Sequence, residues 1–387
     1  MQTLKRLSIV LPICVALLTA AGCGDDSLAA DGEQGVDTAA LQPGNYRTTP
    51  RTADDVRTPE NIDIQEPLRL GAHVPMIMET SPRLVFNRVE SQRKIFTPLM
   101  PPLKPENFLS GAPGFIAGWE TMGQRREDSN HGRTVELTVM RFSEPGQAAN
   151  AAKFLADAAL HSEYPPVGTI SIPEYPSAFG QVSKFGAVST WIAQGPFVLK
   201  TWVGAGLDIP PDPVVLADLT KSVFDNQFAA LRDYEPTPPD RIDELPVDRD
   251  GILAYTLTGS EPAAELVMSP VVALNFLERP DLAKRAFEDA RVDLVVHAAA
   301  RIYRAGDPDA ASRLKAYFIS QQDPALQPVD SPPGLPMAHC TDDPESTGSL
   351  SCVFTVGRYT VIVESSNQIQ DLHQRVAAQY LLLDQAP

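Results

Sequence analysis

Cysteine is scarce in this chain, with four in 387 residues, and basic runs are missing altogether. The thiols show no CxxC spacing and no second pair that could complete a zinc site, which excludes both chemistries. The formal charge is −17. That acidity repels phosphate backbones and anionic lipid surfaces, so nucleic acid is excluded as a partner. There is no GxSxG, no SxxK with its partner motifs, no HExxH and no glycine-rich phosphate loop after a strand. The six histidines (His73, His131, His161, His297, His339 and His373) are scattered, and none sits at metal-ligand spacing. No catalytic residue, metal or cofactor is therefore expected, and the chain reads as a non-enzyme.

Long apolar runs are also lacking. Residues 7–22 are nearly all apolar or small, but the run is shorter than the ~20 residues of a spanning helix. Lys5 and Arg6 precede it, and Ala20, Ala21 and Gly22 lead to Cys23. Basic, apolar and small segments in that order predict a signal peptide over 1–22. With a cysteine at its end, the segment resembles a bacterial lipoprotein signal, with Ala20 where leucine is commoner. The resemblance implies diacylglycerol and fatty acyl chains such as palmitate on Cys23, a membrane partner, and a location on the outer face of the cytoplasmic membrane. Two or more acyl chains give stable anchoring. The alternatives are a secreted protein cut near Ala21 and a retained spanning helix, against which Pro12 argues. Residues 23–45 read as the lipidated cysteine and a flexible tether.

Cys14 leaves with the signal, which leaves Cys340 and Cys352 as an even pair in an exported chain. An oxidising compartment predicts a disulfide closing the loop around TDDPESTGSLS, contributing ~2–3 kcal/mol. About 365 residues remain after cleavage, a length that suits two domains. The mature charge is about −19. Proline is abundant, at 36 residues, so much of the chain is expected in extended or ordered loops.

The main internal signal is a duplication. LTVMRFSEPGQAANAAKFL at 137–155 matches ARIYRAGDPDAASRLKAYF at 300–318. One constant offset places Arg141 on Arg304, Pro145 on Pro308 and Ile172-Pro173 on Leu335-Pro336. Each copy predicts a strand, a cap from Ser143 or Glu144 and from Asp307, proline in the first turn, then an amphipathic helix. GPFVLKTWV matches GRYTVIVES as strands, with Gly195 on Gly357. Both copies end in a helix, aligned on Asp218-Leu219 and Asp371-Leu372. Phe108 before GFIAGWETM resembles Phe287 before VDLVVHAAA. Each half then reads α-β-β-α-β-β-α. The expected fold class is α+β: two tandem duplicated domains, 46–236 with a proline-rich lead-in and 241–387 with the disulfide. Each is a mainly antiparallel sheet packed by helices, and the boundary lies in DYEPTPPDRIDELP.

Four phrases, LQPGNYRTTPR, VRTPEN, EPLRLGAHV and FEDARVDLVVHAAARIYRA, resemble a family of actinobacterial lipoproteins, a domain of unknown function. The resemblance covers nearly the whole mature chain. It implies a cell-envelope lipoprotein in a bacterium of the mycolic-acid type, with no catalytic residues to carry over. The cysteine pair is also similar to that of extracellular sensor domains of actinobacterial receptor kinases, which implies a fold analogy alone.

Four further features have an ordinary and a functional reading. His297 reads as a hydrogen-bonded strand histidine. Asp250-Gly251 reads as a turn before a strand GILAYTLT, and REDSNHGR as a solvated hairpin tip. Trp119, Trp191 and Trp202 read as core on half-buried sheets, or as the lining of a pocket if the sheets curve around one. Three functions stay open: a binding or sensing module for an unknown protein or other ligand, a carrier of a lipid or other apolar ligand, and a hydrolase of envelope polymers.

Overall fold

The computed structural model describes residues 35–387 apart from 89–92, 128–131, 207–209, 260–263, 346–348 and 367. The signal peptide, Cys14 and Cys23, most of the tether and the tip of the REDSNHGR hairpin lie outside the described residues. Residues 36–387 form one compact unit.

The proline-rich lead-in folds as short helices: α1 (Ala53–Val56), α2 (Pro59–Asp63), α3 (Gln65–Gly71) and α4 (Ile77–Thr80). Thr52 and Thr58 cap the first two, and Pro59 opens α2 where no N–H is needed. The segment straps both halves. Its first part joins the core of the second half through Leu41 and Val56. Tyr46 donates to Asp371 at 2.5 Å, and Arg51 makes a two-pronged ion pair with Glu265 at 2.9 and 3.0 Å. Its later part, from Ile64 to Ile77, packs into a core shared by the two halves.

The first half then runs β1 (Ile95–Phe96), α5 (Pro105–Gly111), β2 (Phe115–Gln124), β3 (Thr134–Phe142), α6 (Pro145–Leu160), β4 (Gly168–Thr169), β5 (Phe179–Val182), β6 (Val188–Gln194), β7 (Phe197–Gly204) and α7 (Pro213–Ala230). The second runs β8 (Leu266–Met268), α8 (Pro270–Ala273), α9 (Pro280–Ala290), β9 (Leu294–His297), β10 (Ala300–Arg304), α10 (Pro308–Ser320), β11 (Gln327–Val329), β12 (His339–Asp343), β13 (Ser349–Val356), β14 (Tyr359–Ser366) and α11 (Ile369–Leu383). Each half holds a seven-stranded antiparallel sheet. The orders β1-β2-β3-β7-β6-β5-β4 and β8-β9-β10-β14-β13-β12-β11 are the same order in two copies. The fold is the expected α+β tandem duplication.

The matched residues occupy matched places. Gln147 accepts from the Glu144 N–H at 3.1 Å to start α6, and Asp307 accepts from the Ala310 N–H at 2.8 Å to start α10. Gly195 and Gly357 take positive φ, +56° and +51°, in the hairpins that join the last two strands of each sheet. Two expectations are corrected. Each half carries three further short strands, because two to five residues beside prolines and glycines show no alternation to read. GILAYTLT does not form a strand: Ile252–Tyr255 is a 3₁₀ turn. Asp248 accepts from the Leu253 N–H at 3.1 Å, and Asp250 and Gly251 are left-handed, which turns the chain before a strand can start.

The two matched arginines are both buried. Arg141 donates to Glu66 of α3 and to the Thr237 carbonyl, while Tyr234 and the Thr237 N–H also donate to Glu66. Arg304 holds Asp293 with two bonds, 2.7 and 2.9 Å, and Asp250 at 2.8 Å. Burial, and then the Glu66 carboxylate, push the Tyr234 phenol up.

Glu66→Ala leaves the Arg141 charge buried without its carboxylate and is expected to cost about 3–5 kcal/mol in urea unfolding, whereas Glu66→Leu with Arg141→Met recovers most of that loss. The disulfide forms between Cys340 and Cys352, directly opposite on β12 and β13 and both buried. Replacing both by alanine is expected to lower stability by about 2–3 kcal/mol on the same assay, and reduction of the native chain by a similar amount.

Candidate functional site

The outer face of the first sheet carries the candidate site. On β3, Val135, Leu137 and Val139 enter the shared core, while Met140 and Phe142 lie under α6 on the other face. Helix α6 is made narrow by Ala148, Ala151, Ala152 and Ala156 and covers only one end of that face. Across that face the cross-strand register writes two rows. One reads Phe179, Trp191, Lys200, Thr138, Glu120; the other reads Gln181, Ser189, Trp202, Glu136, Met122. Facing side chains in neighbouring strands lie about 5 Å apart and diagonal ones about 7–8 Å apart. Trp191 and Trp202 are such a diagonal, with Lys200 and Ser189 on the other. Within this block of four, indoles and hydrogen-bonding side chains alternate in both directions.

Of these residues Gln181, Ser189, Trp191, Lys200, Trp202 and Glu136 floor an open cleft of about 310 Å³, walled by Ser162, Tyr164, Pro166 and Ser183. Trp191 is buried against α6, and Trp202 is half-buried. The Trp202 ring lies across Gly204, where an added Cβ would come within 2.6 Å of it. Only glycine lets the indole lie down along the strand. Around the cleft Tyr164, Val167 and Phe185 stand 65%, 70% and 72% exposed. The Lys184 ammonium sits 5.1 Å from the Tyr164 ring and 4.9 Å from the Phe185 ring and ties the two together. Burial raises the Glu120 carboxyl, opposed by the Thr138 hydroxyl at 2.9 Å and by Lys200. Burial pulls the neighbouring Lys94 ammonium down to about 8.

A second cleft, about 760 Å³, lies between the strap and the second sheet. Arg47, Arg51, Asp55, Glu60 and Glu265 give it a charged lining. His297 ends β9 at its floor. It packs beside Phe276 and Tyr303, with ring centroids 5.2 and 6.4 Å away. It is a strand residue, as expected, but its buried Nε2 has no hydrogen-bond partner among the described residues.

The three tryptophans part company. Trp191 and Trp202 meet in the first cleft. Trp119 is fully buried on the opposite face and touches Phe276 of the second half, ring centroids 6.1 Å apart. His339, beside Cys340, bonds Gln322 at 3.0 Å. Among the described residues no group of His, Cys, Asp and Glu is arranged to hold a metal, and no helix is long and apolar enough to cross a membrane. Sequence reasoning missed the alternation of the cleft floor, since register between strands is not written in any one of them.

Family models match residues 53–247 and 248–386, the N-terminal and C-terminal parts of a domain of unknown function, DUF7373. The chain belongs to the DUF7373 family. The two parts of the family model coincide with the two copies of the fold, and the junction at 247 and 248 falls in the connection between the halves. Comparison with curated proteins gives no match.

Burial, and then the nearby Arg301 charge, hold the His297 imidazole down at about 3, against 6.5 for a free histidine. A depressed histidine favours the native state above the unfolded value, and that stability is lost as the pH falls from about 6.5 toward about 3. Wild type is thus expected to lose about 2 kcal/mol more than His297→Leu between pH 7.5 and pH 5, read from urea midpoints at the two pH values.

Proposed function

We propose that this chain is a lipoprotein of an actinobacterial cell envelope, anchored through Cys23 on the outer face of the cytoplasmic membrane, and that it binds a ligand there without transforming it. The anchoring part rests on the order Lys5-Arg6, apolar run, Ala20-Ala21-Gly22, Cys23, and on the phrases that resemble a family of actinobacterial lipoproteins. The binding part rests on one observation: the open face of the first sheet presents the half-buried Trp202 indole, with an exposed aromatic rim, in a cleft lined by polar side chains. The matched position in the second half supports this reading: there exposed Glu364 stands for Trp202, on strands of the same order and register. The carrier reading calls for an apolar cavity. Both clefts are open, and charged side chains line each, which supports binding over carriage.

Mass spectrometry of the full chain, expressed in an actinobacterial host and extracted in mild detergent, tests both parts. Under denaturing conditions the mass is expected to be that of a chain starting at Cys23 with acyl groups, and Cys23→Ala abolishes the acyl mass. Under native conditions an added non-covalent mass is expected that Trp202→Ala removes. An unacylated chain sinks the anchor, and a clean native mass that Trp202→Ala leaves unchanged sinks the binding site.

A further inference from the structure

The grouping of Trp202 with polar side chains on the outer face of the first sheet specifies a ligand chemistry, and this step rests on the reading of that cleft as a binding site. We propose that the cleft binds a neutral saccharide, with a sugar ring laid on Trp202 and its hydroxyls held by the polar groups around it. A sugar ring has two C–H faces that seek apolar surface and an equatorial edge crowded with hydroxyls. The floor offers the complement of both. The Trp202 indole has the Ser189 hydroxyl and the Glu136 carboxylate on the strands to either side, at the strand spacing of about 4.8 Å, and the Lys200 ammonium two residues along its own strand. Side chains of these types both donate and accept, as a hydroxyl edge demands.

Charge decides against the competing ligands. Lys200 and Glu136 bring one charge of each sign onto neighbouring strands of the floor. A polyanion would meet Glu136, with Glu120 close by, and an overall charge of −17. A polyamine would have to displace Lys200 from the floor. A purely apolar chain would strand Ser189 and Lys200 without water. The size, about 310 Å³, lies at the low end of small-molecule pockets. The open wall lets a longer chain run out past the Tyr164 and Phe185 rim.

The geometry of Trp202 carries the argument furthest. A half-buried indole laid flat on a strand has no packing purpose at a position where the second half carries exposed Glu364. Gly204 then reads as the residue that lets the ring lie flat. A glycine inside a strand costs stability, and such a glycine often marks the close approach of a ligand or another chain.

The test uses the full chain in detergent and its own tryptophan emission, in which Trp119, buried away from the cleft, contributes a constant background. The probes are neutral tetramers of glucose, N-acetylglucosamine and mannose, set against an acidic galacturonate tetramer and a cationic glucosamine tetramer. At least one neutral tetramer is expected to give a saturable change, and neither charged tetramer is. Trp202→Ala is expected to weaken the binding about tenfold or more. Gly204→Ala, which lifts the ring off the strand, is expected to weaken it with the thermal unfolding curve essentially kept. The proposal is overturned if no neutral tetramer binds, if a charged one binds as well, or if Trp202→Ala binds like the wild type. A chain that keeps a Trp202-dependent native mass but ignores every neutral tetramer would remain a binding protein with another ligand, so the two readings fail separately.

Discussion

Each half of this protein is closed by one buried arginine at the same place, the end of its third strand. Arg141 and Arg304 are 4% and 7% exposed, too deep to be left without a partner. An unpaired charge there would cost several kcal/mol, so each site must import carboxylates or carbonyls from elsewhere. The first takes them from α3 and from the connection between the halves, at Glu66 and Thr237. The second takes them from Asp293 beside it and from Asp250 in the approach to its own sheet. Neutralising the arginine thus fixes the path of the chain entering or leaving each sheet.

That requirement explains why two copies of a fold make one body. The lead-in strap begins on the second half, at Leu41 and Tyr46, and ends in the shared core. Glu66 lies on that strap. The connection after α7 returns past the same carboxylate through Tyr234 and Thr237. Asn87 adds a backbone bond to Glu278 at 2.8 Å, and its side chain donates to the Asn275 carbonyl at 2.6 Å. A chain that crosses between the sheets at several places cannot release one half without unpacking the other.

Much of this was legible in the sequence for physical reasons. Proline in a first turn with a capping acid before it is a local signal, so the starts of α6 and α10 could be read and aligned. The glycines at 195 and 357 mark hairpins because their backbone needs positive φ. Edge strands such as β4 and β11 are two or three residues of mostly exposed chain, and nothing in their composition separates them from loop. Asp248 and Asp250 steer the chain into a turn at 252–255, overriding a stretch whose side chains alternate well enough for a strand. The cleft is the hardest case. Trp119, Trp191 and Trp202 sit in equally apolar strands, and only the register shows that two of them share an open face.

Duplication supplies the reason that face could change. In the second sheet Val353 and Ile362 lie in the shared core, 2% and 8% exposed. The same positions in the first sheet are Trp191, 5% exposed under α6, and Lys200, half-buried at the cleft. The first copy packs the first of these positions and leaves the second partly open, because the two copies do not meet through equivalent faces. Past α6 it keeps a rigid, antiparallel floor on which Lys200, Trp202 and Glu136 are only partly buried. Strands hold side chains in a fixed grid better than loops do, which suits recognition of an extended ligand. Trp202 occupies that open part of the grid, and the aromatic rim continues it outward past α6.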